Sequence, residues 1–312
     1  MRPFDTVVVV DWSGAGDRGP SPKADAIWVG TVRDGRPERP CYLRSRGEAE
    51  DRLSTRIAEE IGRGRRLLVG FDFPFGYPAG AARRIAGHAD PRLLWEWIAD
   101  ALGALPDGEG RFHLAARLNG AFPGDGPFWF NGLKGDIEGL PREKPRGAST
   151  GVPERRLVER NAPGTFSCWQ MGGAGAVGSQ ALTGMATLAR LRRCFPGKLA
   201  AWPFEPMDEA PVVLAEVWPS LLADAVAARM SEDDTVPRDG RRAPIKDAVQ
   251  VAVLSETLAR LGAQGRLAPL FAAAFEADPD AVAEEGWILG VGAGANLLLD
   301  PEGGPRAERV CT

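Results

Sequence analysis

Four acidic residues stand beside strongly apolar segments, and this placement constrains the fold more than any other feature of the chain. Three follow short apolar runs and one opens a helical pattern: Asp11 after residues 6–10, Asp72 after residues 67–71, Glu216 after residues 212–215, and Asp247 at the start of residues 247–254. A carboxylate at the edge of a buried strand is costly unless something pairs with it. A hard divalent cation can neutralise several carboxylates at one place. The pattern therefore predicts that the four acids gather around a metal ion.

The elements predicted along the first part of the chain indicate an α/β fold. Residues 6–11, 26–32 and 41–44 have the composition of strands, residues 48–63 have helical spacing, and residues 66–72 form the next strand. This β-β-β-α-β order places an antiparallel meander before the first helix, whereas a doubly wound nucleotide-binding fold begins β-α-β. Because the strand at 66–72 follows a helix, we expect it to lie parallel to its neighbour.

Two later segments complete the predicted core. Residues 212–217 have the pattern of another strand, and Pro244 stands just inside the start of a helix, where proline is favoured. Asp247 lies four residues before Val251, the first residue of the apolar stripe of this helix, and is predicted to lie on the same inward-facing side.

Each acid also has a structural explanation that the sequence leaves open. Asp11 can form an Asx turn with the residues that follow it, Asp72 can bind the amides of the next loop, and Asp247 can stabilise the positive end of its helix. Glutamate is disfavoured in buried strands, so a functional reason is favoured for Glu216. Asp247 is the least expected of the four, because it is predicted to face the core. The recurrence of acids on four elements of one predicted sheet favours a functional cluster.

The segments that carry these acids resemble the ribonuclease-H-like superfamily and, more closely, an uncharacterised prokaryotic family of predicted nucleases with that fold. The matching pieces are Val8–Gly14, Val69–Gly76, Ala215–Ser220 and Lys246–Ala248. The resemblance implies a mixed five-stranded sheet flanked by helices, with the first three strands antiparallel. Residues 1–80 and 206–312 would form this core, and residues 81–205 a large, mostly helical and loop-rich insertion packed over it.

The resemblance also implies a chemistry. Asp11, Asp72 and Asp247 would form the core of a two-metal site for Mg²⁺ or Mn²⁺, with Glu216 as a fourth catalytic and metal-binding residue. Paired ions of this kind activate a water molecule for hydrolysis of a phosphodiester. The superfamily takes its glutamate from the first helix instead, and no glutamate in that part of this chain matches a motif.

The predicted substrate contacts are polar residues next to the acids or in a basic segment at 141–160: Ser13, Lys246, Arg146, Arg155 and Arg156. Glutamates are interspersed in the basic segment. It is therefore either a solvated loop or a clamp that closes on a substrate phosphate.

The segment from 81 to 205 contains further motifs, each of which allows a functional and a structural interpretation. Its many aromatic residues either stack on bases or pack beneath the loops. Residues 173–178 match GxGxxG, but they lack the preceding strand and the later acid of a dinucleotide site. A glycine-rich helix N-terminus can still hold a phosphate or another anion.

Charge and composition narrow the partners. With a net charge of −4, the chain lacks the positive field typical of proteins that bind a duplex tightly. We therefore expect its partner to be a short or single-stranded nucleic acid or a nucleotide-like small molecule. The four cysteines form no CxxC pair, which argues against zinc. No apolar stretch approaches the roughly 20 residues of a membrane span, and no signal peptide is evident, so we expect a cytoplasmic protein. The alternative is a non-nuclease protein that binds a phosphorylated or nucleotide-like metabolite on the same fold.

Overall fold

A mixed β-sheet with helices on both faces organises the chain in the computed structural model, which describes residues 1–16, 19, 21–105, 110–145, 149–173, 175–232 and 244–293. The strands are β1 (Thr6–Asp11), β2 (Ile27–Arg33), β3 (Arg36–Pro37), β4 (Cys41–Leu43), β5 (Leu67–Phe71), β6 (Leu199–Ala201) and β7 (Val212–Glu216). The predicted α/β class is confirmed.

The order of the strands across the sheet is β3-β2-β1-β5-β7-β6, and β4 also pairs with β2. Strand β2 is antiparallel to β1, β3 and β4. Strands β1, β5, β7 and β6 are parallel to their neighbours. The antiparallel start and the parallel placement of β5 agree with the sequence pattern.

The predicted number of five strands is wrong, because the sheet has seven strands within the described residues. The third strand of the meander is split into β3 and β4, since Pro37 and Pro40 lack the backbone donor that continuous pairing requires. Strand β6 adds to the opposite edge and comes from within residues 81–205. The sheet therefore extends into the segment that the sequence assigned to an insertion.

Ten α-helices are described: α1 (Arg46–Gly62), α2 (Ala81–Ala86), α3 (Pro91–Gly103), α4 (Gly110–Asn119), α5 (Leu157–Arg160), α6 (Val177–Cys194), α7 (Ala223–Glu232), α8 (Lys246–Ala263), α9 (Ala268–Ala272) and α10 (Pro279–Glu285). Short 3-10 turns cover Pro219–Leu222 and Ala273–Glu276. None of the helices in these described ranges has both the length and the apolar character needed to cross a membrane.

Two hydrophobic clusters lie on opposite faces of the sheet. Val8 and Val10 of β1 pack into the cluster that includes α1, α3 and α6. Val7 and Val9 pack into the cluster that includes α8 and the helices after it. Because both faces are covered, the central strands are continuous apolar runs without the alternation of a half-exposed sheet.

Close packing of α8 on the sheet depends on Gly30 of β2. A Cβ atom at Gly30 would lie 2.3 Å from the carbonyl oxygen of Val251 and 3.0 Å from Oγ of Ser255. Both residues belong to α8, so only glycine allows the helix to come this near. The approach brings Asp247, in the first turn of α8, towards the strands.

We predict that Gly30→Ala lowers the free energy of unfolding by about 1–3 kcal/mol, because the added methyl group overlaps the backbone of α8. Urea denaturation of the purified variant measures the effect. Gly62→Ala, at a position where nothing lies within 4 Å of an added Cβ, is the matched control and should not be destabilising. Equal stability of Gly30→Ala and the wild type would contradict the tight contact.

Candidate functional site

Three of the four predicted acids line one cleft. Asp11 is the last residue of β1, and Asp72 directly follows β5. The two strands are parallel with Val10 opposite Phe71, so their carboxyl ends meet at the same edge of the sheet. Asp247, in the first turn of α8, lines the same cleft, whose volume is about 640 Å³.

Side-chain alternation explains why Asp11 and Asp72 face α8. Successive side chains of a strand point to opposite faces, so Asp11 lies on the same face as Val9. That face carries the cluster to which α8 contributes. Asp72 lies two residues beyond Gly70 and has the same parity as Leu68, which packs in that cluster. The two strands and the helix thus deliver three carboxyl groups to one place.

The structure does not bring Glu216 to this cleft. Glu216 is opposite Phe71 in the β5–β7 register and two residues beyond Leu214, so it belongs to the other face of the sheet. Its carboxylate accepts hydrogen bonds from both terminal nitrogens of Arg156, at 2.6 and 2.8 Å, and from the amide of Phe75 at 3.1 Å. The expected fourth ligand is therefore already engaged elsewhere.

Arg156, a predicted substrate contact, is the buried partner in this pair. Its side chain is 1% exposed, and Nε donates to Glu159 at 2.8 Å while Nη1 also donates to the carbonyl of Glu285 at 3.0 Å. Burial raises the pKa of Glu216, and Arg156 opposes this shift. Burial disfavours the charge of Arg156, but Glu216 and Glu159 raise its pKa well above its usual value. These contacts correct the prediction, since Arg156 is held inside the protein.

The other predicted substrate contacts lie in different places. Ser13 lines the cleft, where its Oγ donates to the carbonyl of Asp25 at 3.1 Å. Lys246 is exposed beside Asp247. Arg155 is half-buried and donates to the carbonyl of Thr165 at 2.7 Å, and it is not among the lining residues of the cleft. Arg146 lies outside the described residues.

The carboxyl groups of Asp11 and Asp72 are joined by a hydrogen bond. Burial raises the pKa of Asp72 to about 7, although the amide of Trp12, which donates to Oδ1 at 2.6 Å, favours its charged form. Burial, followed by the charges of Asp72 and Asp247, raises the pKa of Asp11 well above its usual value. The pair therefore holds a proton near neutral pH.

Asp247 completes the cluster from the helix side. Burial raises its pKa, and the amide of Asp25 donates to its Oδ2 at 2.7 Å. The negative charge of Asp25 opposes ionisation of both Asp247 and Asp11. In addition to burial, the charge of a neighbouring acid thus raises the pKa of each of Asp11, Asp72 and Asp247.

Sequence reasoning missed several residues of the cleft. The additional polar and aromatic lining residues are Asp25, Phe166, Gln180 and Gln250. Asp25 stands just before the strand-like run at 26–32, whereas Asp11, Asp72 and Glu216 follow their apolar runs, so it did not fit the pattern that marked those acids. Its backbone has a φ of 56°, in the left-handed region.

The glycine-rich segment at 173–178 contributes to the same wall. Gly173, Gly175 and the first residue of α6, Val177, line the cleft. A Cβ at Gly14, after β1, would lie 2.6 Å from Cβ of Ser179, so this glycine lets the two segments meet. The helix N-terminus that the sequence retained as an anion site therefore lies next to the acids.

The donor atoms of the cleft suit a hard cation. They are carboxylate oxygens with the amide side chains of Gln180 and Gln250, the oxygen-rich set that Mg²⁺ and Mn²⁺ prefer. As the side chains stand, no three His, Cys, Asp or Glu residues in the described ranges are arranged to hold a metal ion. Binding would require the Asp11–Asp72 pair to lose its proton and their hydrogen bond to open.

Comparisons with known proteins give no match to a family model, a curated protein or a solved structure. The resemblance to ribonuclease-H-like proteins therefore stays a prediction from four short motifs. The chemistry of the cleft has to follow from its own residues.

We predict that Asp72→Asn stabilises the metal-free protein by about 1–3 kcal/mol at pH 8. The pKa of Asp72 is raised from 3.8 to about 7 on folding, so the folded state binds more protons between these pH values. Wild-type stability should therefore fall as pH rises through this window, and the neutral amide removes that loss. Urea denaturation from pH 5 to 8 with a chelator measures the difference.

The gain in the free energy of unfolding from Asp72→Asn should become smaller as the pH is lowered towards 5. The exposed Asp51→Asn on α1 is the matched control and should leave the profile unchanged. A stability difference independent of pH would contradict the raised pKa.

We predict that Glu216→Gln lowers the free energy of unfolding by about 3 kcal/mol, because it removes one partner of a buried ion pair. Thermal and urea denaturation measure the loss. Glu154→Gln, which breaks the exposed Lys144–Glu154 pair, should cost less than about 1 kcal/mol. Equal, small effects of the two variants would contradict the structural role of Glu216.

Proposed function

We propose that the chain is a divalent-metal-dependent hydrolase of phosphodiester bonds, with Asp11, Asp72 and Asp247 as its metal-binding and catalytic residues. One observation carries the proposal: these carboxyl groups come from three separate elements to one cleft, and no Lys, Arg or His is among its described lining residues. Lys246 lowers the pKa of Asp247, but burial still raises it. Acids that gather where no basic side chain lines the cleft require another source of positive charge.

The contrast with Glu216 supports this reading. Glu216 is neutralised by Arg156 within the protein and needs no ligand. The aspartates of the cleft are neutralised only in part, by the proton that Asp11 and Asp72 share. Mg²⁺ or Mn²⁺ would replace that proton and supply the missing charge.

A bound ion of this kind acts as a Lewis acid and lowers the pKa of a coordinated water molecule. The side chains that would hold it are already oriented by the backbone. The amide of Trp12 fixes Asp72, and the amide of Asp25 fixes Asp247. Such outer contacts set the direction of ligand oxygens. The N-terminus of α6, which lines the same cleft, favours an anionic group there.

The ribonuclease-H-like arrangement is part of the proposal. Strand β1 lies between antiparallel β2 and parallel β5, and a late helix, α8, carries the third aspartate. This agrees with what the resemblance implies for two metal ions. Glu216 does not line the cleft and is not part of such a site. Asp25 does line the cleft and is the fourth acid available there.

One observation favours the alternative of a metabolite-binding protein. The acids do not form a ready ligand group among the described residues, and two of them share a proton. Under this alternative, a phosphorylated or nucleotide-like metabolite would bind at the N-terminus of α6 without metal. Tight binding of such a compound in the presence of a chelator would support it.

We predict that the wild type cleaves a fluorescently labelled single-stranded oligonucleotide in Mg²⁺ or Mn²⁺ at pH 8, and that Asp11→Asn and Asp72→Asn each abolish cleavage. Each substitution removes a charge that the metal requires but preserves the shape of the side chain. Gel analysis of the products over time measures the rate.

Glu216→Gln is the matched control, because it changes a buried carboxylate outside the cleft. At a temperature where the variant is folded, its rate should be within a few-fold of the wild type. Full activity of Asp72→Asn, or cleavage by the wild type in excess chelator, would contradict the proposed function.

A further inference from the structure

One aromatic side chain is exposed where it lines the acid cleft. The large apolar residues that are exposed in the described part of the chain are Met1, Leu93, Phe166 and Phe275. Phe166 is 53% exposed, and it alone among these four lines the cleft of Asp11, Asp72 and Asp247. An apolar ring kept at the wall of a polar cleft points to a ligand with an apolar face.

The neighbouring aromatic residues have a different role. Phe122, Phe128 and Trp169 are buried, and both phenylalanine rings pack edge-on against Trp169. Tyr77 stacks on the same indole with ring centroids 4.7 Å apart. These residues form the packing that the sequence allowed for, whereas Phe166 has no ring partner among the described residues.

Phe166 is seated against a glycine. A Cβ added at Gly175 would lie 2.4 Å from Cδ1 of Phe166, so the ring rests on a position where any side chain would collide with it. Gly175 has a φ of 77°, which also favours glycine. The contact supports one part of the ring and leaves the rest open to the cleft.

A second cavity of about 660 Å³ lies on the other side of the same segment. Ser167, the residue after Phe166, lines it together with the half-buried Trp129. Consecutive Cα atoms are about 3.8 Å apart, so the two cavities share a wall. Backbone hydrogen bonds fix Trp129 at this wall. Its amide donates to the carbonyl of Trp169 at 3.2 Å, and its carbonyl accepts from the amide of Met171 at 2.9 Å.

We propose that Phe166 is a stacking surface for a nucleobase and that the substrate of the cleft is a single-stranded nucleic acid. A base on Phe166 puts its phosphate near the aspartates, and Trp129 offers a second aromatic surface for a neighbouring nucleotide. The bases of a duplex are already stacked and offer no free face. Stacking on aromatic side chains is tolerant of sequence, so binding should depend weakly on base identity.

This inference rests on the proposed function for the place of the scissile phosphate. Binding can be measured without cleavage. The probe is a fluorescein-labelled 12-nucleotide oligothymidylate in Ca²⁺, followed by fluorescence anisotropy. An abasic strand of the same length and charge is the second probe.

We expect Phe166→Ala to weaken binding of oligothymidylate by about 5-fold to 150-fold, the usual effect of losing one stacked base. Phe166→Trp should restore wild-type affinity. The abasic strand should bind less tightly than oligothymidylate and should not respond to Phe166→Ala. Phe275→Ala, at an exposed ring outside the cleft, is the matched control and should bind both strands as the wild type does.

Unchanged affinity in Phe166→Ala, or an equal loss for the abasic strand, would overturn the inference. A cleavage assay in Mn²⁺ distinguishes failure of the stacking surface from failure of the proposed hydrolase function. Cleavage that does not depend on Phe166 would overturn the stacking surface and leave the hydrolase. Binding that depends on Phe166 without cleavage would overturn the hydrolase and leave the stacking surface. A wild type that neither binds nor cleaves would overturn both.

Discussion

Two carboxyl groups at the ends of adjacent parallel strands cannot both carry charge at low cost, and the cleft is built around this constraint. Parallel pairing of β1 and β5 brings Asp11 and Asp72 into a direct hydrogen bond. Burial and mutual repulsion then keep a proton on the pair. Close packing of α8 on Gly30 adds Asp247 to the same cleft. The sheet and one helix thus bring together negative charge that no basic lining residue of the cleft neutralises.

The protein neutralises the acids at the ends of its strands in two different ways. Glu216, on the opposite face of the sheet, is neutralised by Arg156, which also binds Glu159. The charges and hydrogen bonds of this network are satisfied within the protein, so it holds the joined segments in place and does not require a ligand. Among the described residues, the aspartates of the cleft are bound by backbone amides and by each other, and the charge of Lys246 lowers the pKa of Asp247 only in part. This difference in partners distinguishes Glu216, which is buried, from the half-buried aspartates that we propose to be functional.

Sequence reasoning predicted the meander, the parallel β5 and the helix of Asp247, because apolar runs and helical spacing are local signals. It failed for Glu216 because the run at 212–215 is apolar on both faces and hides which way a side chain points. Arg156 was misjudged because its partner Glu216 is 60 residues away in the chain. Asp25 was missed because it stands before its apolar strand and not after it. Strand β6 was missed because it is only three residues long.

Calorimetric titration of Mn²⁺ at pH 8, in two buffers with different ionisation enthalpies, tests the central claim most directly. The wild type and Glu216→Gln should bind Mn²⁺ with release of protons, because the metal displaces the proton of the Asp11–Asp72 pair. Asp72→Asn should lose this binding. Equal binding by Asp72→Asn, or no binding by the wild type when single-stranded oligonucleotide is also present, would contradict the account.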